Sequence, residues 1–421
     1  MSEYVQYVPQ RKKTFTPQLE NLTIELTERC NNNCIHCCIN LPVNDSAARR
    51  REMTTDQIKD VSRQAANLGC LQLHLTGGEP LLGPDFEALY TYARRLGLRV
   101  LLFTNGRLLT PRLADLFARL PPLVDIEITV YGMHPESYEA VTRAPGSFAQ
   151  FMRGVKLLWE REVPFVVKSA LLPPNRHEMD EFEAGPPGMP WKVTKPAYSM
   201  NFDLRSRRDD AHPADAGKNR LIASLRTPPR ESINVVMRDS ARYRPWTEEL
   251  AAEKLQPPGD RLFNCGACEG KTVSVDAYGV AQPCMGLRAP EMTYDLFGMD
   301  QGDGESGSQG EPTHGQTDDL TNRLSDALDH FSRLRDLRAT NPEYLRRCAR
   351  CYLKGVCQQC PAKSWTEHGN FDTPVEHLCE MAHTWARHLG WLDEGERGWE
   401  INGWRGRVGR VRGEDLCRER V

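Results

Sequence analysis

A chain of 421 residues, with 54 Lys and Arg against 57 Asp and Glu, is long enough for two domains with extensions. Its net charge of −3 provides no basic field that would draw it to nucleic acid. No run of about twenty apolar residues offers a membrane span, and Met1–Gln6 lack the charged-then-apolar order of a signal segment. A cytoplasmic protein with no membrane or nucleic-acid partner is expected. Fourteen cysteines without a secretion signal then point to metal or redox chemistry rather than a disulfide framework. Five fall before residue 71 and nine after residue 264, which predicts two metal-bearing regions joined by a cysteine-free body.

After an N-terminal extension (1–21), Leu22–Thr27 alternates like a half-buried strand. It leads straight into Cys30-Asn31-Asn32-Asn33-Cys34-Ile35-His36-Cys37. Three thiolates cannot close a tetrahedral site, whereas a four-iron cubane held by three of them keeps one iron open to another ligand. A zinc knuckle or a loop of inert thiols competes for the spacing alone. Cys38, one residue on, would face away, and His36 would shape the surroundings rather than ligate. Thr54-Thr55-Asp56-Gln57 reads as a capping box opening a helix that carries Ile58, Val61, Ala65 and Leu68 and stops at Gly69.

Leu71–Leu75 is the second strand and runs into Thr76-Gly77-Gly78-Glu79-Pro80. Pro84–Leu96 should be a helix with Pro84 in its first turn. Val100–Thr104 is a strand ending in Asn105-Gly106, Pro111–Leu120 a helix, and Asp125–Val130 a strand ending in Tyr131-Gly132. Phe148–Glu160 and Arg176–Phe182 read as helices, Phe165–Leu171 as a strand, and Trp191–Ala197 as a sixth strand that Pro196 weakens. This strand–helix cadence predicts a parallel sheet with helices outside and ligands at the carboxyl ends of its strands. The cysteine loop, Gly77–Pro80, Asn105-Gly106 and Tyr131-Gly132 all follow strands directly and should converge on that rim.

A polar bridge (227–262) precedes Cys265-Gly266-Ala267-Cys268, a β-hairpin turning near Gly279, and Cys284. Residues 300–319 form a Gly-, Gln- and acid-rich insertion, and Phe331–Arg347 should be a helix delivering Cys348. Cys348, Cys351, Cys357 and Cys360 follow as two CxxC pairs five residues apart, then Cys379. A zinc ribbon is the competing reading of this half. The basic tail 396–421, with Trp399 and Trp404, reads as a solvated segment.

CxxxCxxC after the first strand, together with Gly77-Gly78-Glu79-Pro80 after the second, resembles the radical S-adenosylmethionine (SAM) enzymes. The resemblance implies an α/β fold in which residues 22–226 form a partial (β/α)6, TIM-like barrel. Cys30, Cys34 and Cys37 would hold a [4Fe-4S] cluster. Gly77, Gly78, Glu79 and Pro80 would hold the SAM amino group. Thr129 stands where the family often carries a ribose-contacting serine, though a plain strand threonine fits as well. Lys168 would meet the SAM carboxylate or ribose, or simply point to solvent.

The second half (263–395) resembles the family's SPASM extension, a small α+β cysteine-rich domain. Two auxiliary [4Fe-4S] clusters are implied: a nearer one on Cys265, Cys268, Cys284 and Cys360, and an outer one on Cys348, Cys351, Cys357 and Cys379. Cys360 departs from the pattern, following Cys357 after two residues where three are usual. Cys38, Cys70 and Cys417 are left as spares.

The implied reaction is reductive cleavage of S-adenosylmethionine to a 5′-deoxyadenosyl radical that abstracts hydrogen from a substrate. A ribosomally made peptide or protein undergoing oxidative modification is the expected substrate. Cofactor biosynthesis on a small molecule, a tetrapyrrole or quinone, is the alternative, and a non-catalytic iron–sulfur or zinc-stabilised binding protein the other class. An electron donor such as flavodoxin or ferredoxin is expected, and a separate leader-peptide-binding protein or direct recognition of the peptide.

Overall fold

A computed structural model of the chain describes residues 19–39, 41–193, 204, 207–208, 216–237, 255, 257–263, 265–267, 269–298 and 323–408. The N-terminal extension up to residue 18, most of the expected sixth strand, the insertion at 300–319, Cys268, and Cys417 with the tail from 409 lie outside the described residues.

Alternation in the strands decides the architecture. In β1 (Asn21–Glu25), Leu22 and Ile24 enter the core while Thr23 and Glu25 turn to the other face. The same alternation runs through β2 (Gln72–Thr76), β3 (Arg99–Thr104), β4 (Leu123–Val130) and β5 (Val166–Ser169). On β4, for example, Ile126, Ile128 and Val130 are buried while Asp125, Glu127 and Thr129 are half-buried on the opposite face. These strands and the two-residue β6 (Lys192–Val193) pair in parallel in chain order.

After the short α1 (Ser46–Arg51), which buries only Ala48, amphipathic helices supply the outer layer: α2 (Thr55–Asn67), α3 (Phe86–Arg95), α4 (Pro111–Arg119), α5 (Pro135–Thr142), α6 (Ser147–Trp159) and α7 (Met179–Ala184). Their apolar stripes, such as Ile58, Val61 and Ala65 on α2, close over the buried strand face. The polar strand face is left as a concave lumen, as a partial TIM barrel requires.

Two expected helices come out differently, and one helix is unexpected. Pro84 lies outside its helix: Pro80–Leu82 form a 3₁₀ turn, and Asp85, at φ 43°, turns the chain before α3 starts at Phe86. Helix α5, with Tyr138 and Val141 buried, stands between β4 and α6 and had not been expected. Phe331–Arg347 is not one helix. After α8 (Ala216–Ser224) and α9 (Pro229–Met237), α10 (Arg323–Phe331) gives way to a 3₁₀ turn, Ser332–Asp336. The chain then runs extended past Asp260–Leu262 before α11 (Pro342–Arg346) restarts at the Asn341 cap. The physical cause is Asn341-Pro342, a pair that starts helices and cannot continue one.

The hairpin of the second half forms as expected: β7 (Thr272–Val275) pairs antiparallel with β8 (Val280–Gln282), and β9 (Tyr294–Asp295) adds to β8. Its turn needs Gly279, at φ 85°, and Asp276, whose carboxylate accepts from the backbone N–H of Tyr278 and Val280 at 2.9 and 3.0 Å. Strand β7 also pairs in parallel with β1, from Asn21 opposite Thr272 to Ile24 opposite Val275. These nine strands thus make one sheet in the order β9-β8-β7-β1-β2-β3-β4-β5-β6, beside a short parallel pair of Arg29–Cys30 with Leu41–Pro42. Two further helices, α12 (Pro361–His368) and α13 (Glu376–His388), complete the second half.

The expected solvated tail needs correction over its described part, up to residue 408. Val408 is buried, and the Trp404 ring lies flat on Tyr352, their centres 5.2 Å apart and nearly parallel at 3°.

Candidate functional site

Both motifs of the first half meet at the carboxyl end of β1 and β2. Gly77 and Gly78 are needed because the chain ahead of the cysteine loop presses on them. A Cβ on Gly77, whose φ is +138°, would sit 2.2 Å from the Thr27 carbonyl oxygen, and one on Gly78 2.4 Å from that of Arg29. The contact is zipped by backbone bonds from Gly78 N to Thr27 O (2.7 Å) and from Glu79 N to Arg29 O (2.9 Å). The glycines therefore fit strand end to strand end, beyond any closeness to a ligand.

Glu79 is fully buried. It accepts from the Thr104 hydroxyl (2.7 Å), Asn105 N (2.9 Å) and Leu81 N (3.2 Å). Burial lifts its pKa to about 7, with the hydrogen bonds of Asn105, Thr104 and Leu81 pulling the other way.

The cysteine loop is held from several sides. Asn105 Nδ2 donates to Asn31 Oδ1 at 2.7 Å and lies 3.7 Å from Cys30 Sγ, and Asn32 N donates to the same sulfur at 3.3 Å. The Arg107 guanidinium donates to the Asn31 carbonyl and the Asn32 side chain. Arg143 Nε and Nη2 donate to the carbonyl and side chain of Asn33 at 2.7 and 3.0 Å. Backbone bonds from Asn33 N to Thr142 O and from Ile35 N to Val141 O dock the loop on α5. The residues just before the loop are fixed too. Arg29 forks onto Glu52 at 2.8 Å through both Nε and Nη2, while Glu28 takes Arg207 at 2.6 Å and the Tyr278 hydroxyl at 2.9 Å.

The donor set suits an iron–sulfur cluster. Burial pushes the Cys30 thiol up to about 12 and that of Cys34 well above the usual range, and in both the neighbouring loop thiols add to the rise. Such thiols ionise only against a strong local cation, which a cluster supplies. His36 is buried against Tyr131, ring centres 5.7 Å apart, and burial lowers its pKa to about 4. Cys38 packs against the small apolar cluster of Val141, Ala170, Leu172, Leu204 and Ile222, and Cys70 is buried with Sγ donating to the Gln72 carbonyl at 3.1 Å.

Thr129 and Lys168 are register partners on the lumen face. Lys168 pairs with Glu127 and lies 4.6 Å from the centre of the Phe103 ring, its side chain only 18% exposed. It points into the lumen and not to open solvent. Glu25 on β1 takes Arg288 at 2.6 Å, and Arg288 reaches Asp276 at 3.6 Å, so the second half lends charged groups to the barrel.

In the second half, Cys348, Cys351, Cys357 and Cys379 line one pocket together with Tyr344, His383 and Trp399. Burial raises Cys348 to about 12 and Cys379 to about 11, the same buried-thiol chemistry as in the first loop. Cys265 sits on an exposed turn closed by Lys271 N bonding Gly266 O at 3.1 Å, and Cys284 follows β8. Both lie at the hairpin end level with Asn21, where Thr272 bonds the Pro283 carbonyl at 3.3 Å. This is the opposite end of β1 from Cys30. Cys360, half-buried, caps α12. Among the described residues no three Cys, His, Asp or Glu side chains converge on a single-ion site.

Arg107 and Arg143 were not expected at the site, whereas Asn105-Gly106 was expected at the rim without a role for the Asn105 side chain. Asn-Gly after a strand was the one available signal. Both arginines act on residues 75 or more positions away in the chain.

The family model of the Radical SAM superfamily matches residues 24–184. The chain is 31% identical over 196 residues to the AdoMet-dependent heme synthase of Methanosarcina barkeri, covering 45% of this chain and 54% of that protein. To the PqqA peptide cyclase of Ruegeria pomeroyi it is 33% identical over 159 residues, 38% of this chain and 41% of that one. It thus spans about half the length of the curated relatives it matches. The solved structure of native anSMEcpe with bound AdoMet shares the fold, with a TM-score of 0.55 at 13% identity over 94% of this chain and 99% of that one.

Proposed function

We propose that this chain, whose residues 24–184 are a radical SAM domain, cleaves S-adenosylmethionine reductively and uses the 5′-deoxyadenosyl radical to take hydrogen from a peptide. The observation that carries the reading is the packing of Gly77-Gly78-Glu79 against Thr27–Arg29, the residues that lead directly into the three-cysteine loop. Cys30, Cys34 and Cys37 would hold a [4Fe-4S] cluster, which would supply the single electron for that cleavage.

The chain's own residues do the rest. Asn105 and the N–H of Asn32 steady the Cys30 sulfur. The carbonyls of Gly77–Glu79 and the buried Glu79 carboxylate offer acceptors to an ammonium. Thr129 is assigned to the ribose and Lys168 to the SAM carboxylate or to the substrate, with Glu127 as its resting partner. The lumen, walled by Thr23, His74, Phe103 and Glu127, shelters the radical from water. Residues 263–395 serve as the auxiliary domain, with Cys265, Cys268, Cys284 and Cys360 as one ligand set and Cys348, Cys351, Cys357 and Cys379 as the other. Cys265 and Cys284 lie at the opposite end of β1 from Cys30, which suits electron acceptance from a substrate held between. A flavodoxin or ferredoxin donor fills the first cluster.

The relative named as a peptide cyclase supports the peptide reading. The relative named as a heme synthase supports a second one, a tetrapyrrole in the same lumen. Protein reconstituted anaerobically is expected to be brown and, on a three-cubane count, to carry about twelve irons. With dithionite it should convert S-adenosylmethionine to 5′-deoxyadenosine. Cys34→Ala should abolish that product, and its persistence would overturn the assignment. Deuterium transfer into 5′-deoxyadenosine from labelled peptide or labelled tetrapyrrole separates the two substrates.

A further inference from the structure

The pocket of Cys348, Cys351, Cys357 and Cys379 holds more than thiols. Arg347 is 8% exposed, and its Nη2 donates to Cys379 Sγ at 3.3 Å. The guanidinium is clamped by Glu376, at 2.7 and 2.9 Å, and by Glu343 at 2.9 Å, and lies 4.8 Å from the centre of the Trp399 ring.

One turn beyond Cys379, His383 Nε2 accepts from Gly398 N at 3.0 Å, so its proton sits on Nδ1. That proton goes to the Cys379 carbonyl at 2.7 Å. The Trp399 ring stands edge-on to His383 at 5.1 Å, and a Cβ on Gly398 would lie 2.8 Å from Cys351 Sγ. The segment carrying Gly398 and Trp399 is therefore a wall of the pocket.

We infer that Arg347 sets the reduction potential of the outer cluster, holding it in the range of an electron acceptor, and that the Gly398–Trp399 wall keeps water from screening it. A cation and an N–H donor on a ligand sulfur stabilise the more electron-rich state and raise the potential. The effect grows where water is excluded. Glu343 and Glu376 offset it only in part, because their side chains are 47% and 63% exposed while the Nη2–sulfur contact is inside; Glu376, in two-point contact with the guanidinium, offsets it most. The electron count is simple. A substrate radical loses one electron and one proton to become a closed-shell product, an oxidised iron–sulfur cluster takes the electron, and an external one-electron carrier later removes it.

This rests on the reading that the four thiols hold a cubane, which iron and sulfide counts on the full reconstituted chain test separately. A wild-type chain lacking the outer four irons overturns that reading and the inference with it. With the iron present, potentiometric titration followed by electron paramagnetic resonance reads the outer cluster. Arg347→Gln should move its midpoint to more negative potential. Glu376→Gln, which removes a surface anion from the same guanidinium, should move it to more positive potential. The signal of the first cluster should stay put in both. Full iron with an unmoved midpoint, or shifts of the same sign, overturns the inference. Should Arg347→Gln shed the outer irons, Glu376→Gln decides alone, and absence of a positive shift counts against it.

Discussion

Glu79 carries an unusual burden for a carboxyl group: it is fully buried, and the nearby Arg107 only mildly offsets its burial. Because burial raises its folded pKa from 4.5 to about 7, its contribution to stability is whole below about 4.5 and drains away as pH rises through about 7. Melting of the metal-free chain should therefore fall from about pH 5 to about pH 8, and Glu79→Gln should flatten that slope. An equal slope in both proteins would deny Glu79 the role. Cys30, Cys34, Cys37 and Gly77–Pro80 could be read from the sequence because their chemistry dictates residue type and spacing. Asn105 could be placed on the rim but given no contact, and Arg107 and Arg143 could not be placed at all. Their roles arise where loops far apart in the chain meet, and an arginine after a strand looks like any solvated arginine.

Among elements, legibility followed locality. The Thr54–Gln57 box closes both ways, with Gln57 N donating to the Thr54 hydroxyl at 3.3 Å and Thr54 N to the Gln57 side chain at 2.8 Å. Thr54→Ala should cost about 1 kcal/mol, read as a lower denaturation midpoint with the iron content unchanged. The strands β1 to β5 were visible because alternation against a one-sided core writes itself into the chain. Helix α5 escaped notice: it offers little more than two turns and one short apolar stripe, Tyr138 and Val141. The break at Asn341-Pro342 was written plainly, yet the apolar spacing on either side of it outweighed it in the reading. The hairpin around Gly279 was equally plain, whereas its pairing with β1 was not, since no local pattern names a partner some 250 residues away.

At the scale of the whole molecule, the lumen lies between two levels of thiol chemistry. Cys30, Cys34 and Cys37 follow the carboxyl end of β1, and Cys265 and Cys284 flank strands level with its first residue. At roughly 3.3 Å per residue, β1 and the link to Cys30 separate the levels by a few tens of ångströms at most, with Glu25, Arg288 and Asp276 between them. A parallel sheet with helices outside was legible from the strand–helix cadence, and the partial barrel from the family resemblance. That the cysteine-rich half completes its wall was not, because the register of β7 on β1 is a tertiary fact.

The parallel contact of Asn21–Ile24 with Thr272–Val275 has a practical corollary for anyone who would dissect the protein. Residue 184, where the family match stops, is no seam. A fragment ending at residue 262 strips the partner from one flank of β1 and leaves a row of main-chain amides and carbonyls bare along an apolar strand. Such a flank invites stacking with its copies. Size-exclusion chromatography of the fragment beside the full chain should find aggregates in the first and none in the second, and a monodisperse fragment would mean that the barrel can stand without its borrowed neighbour.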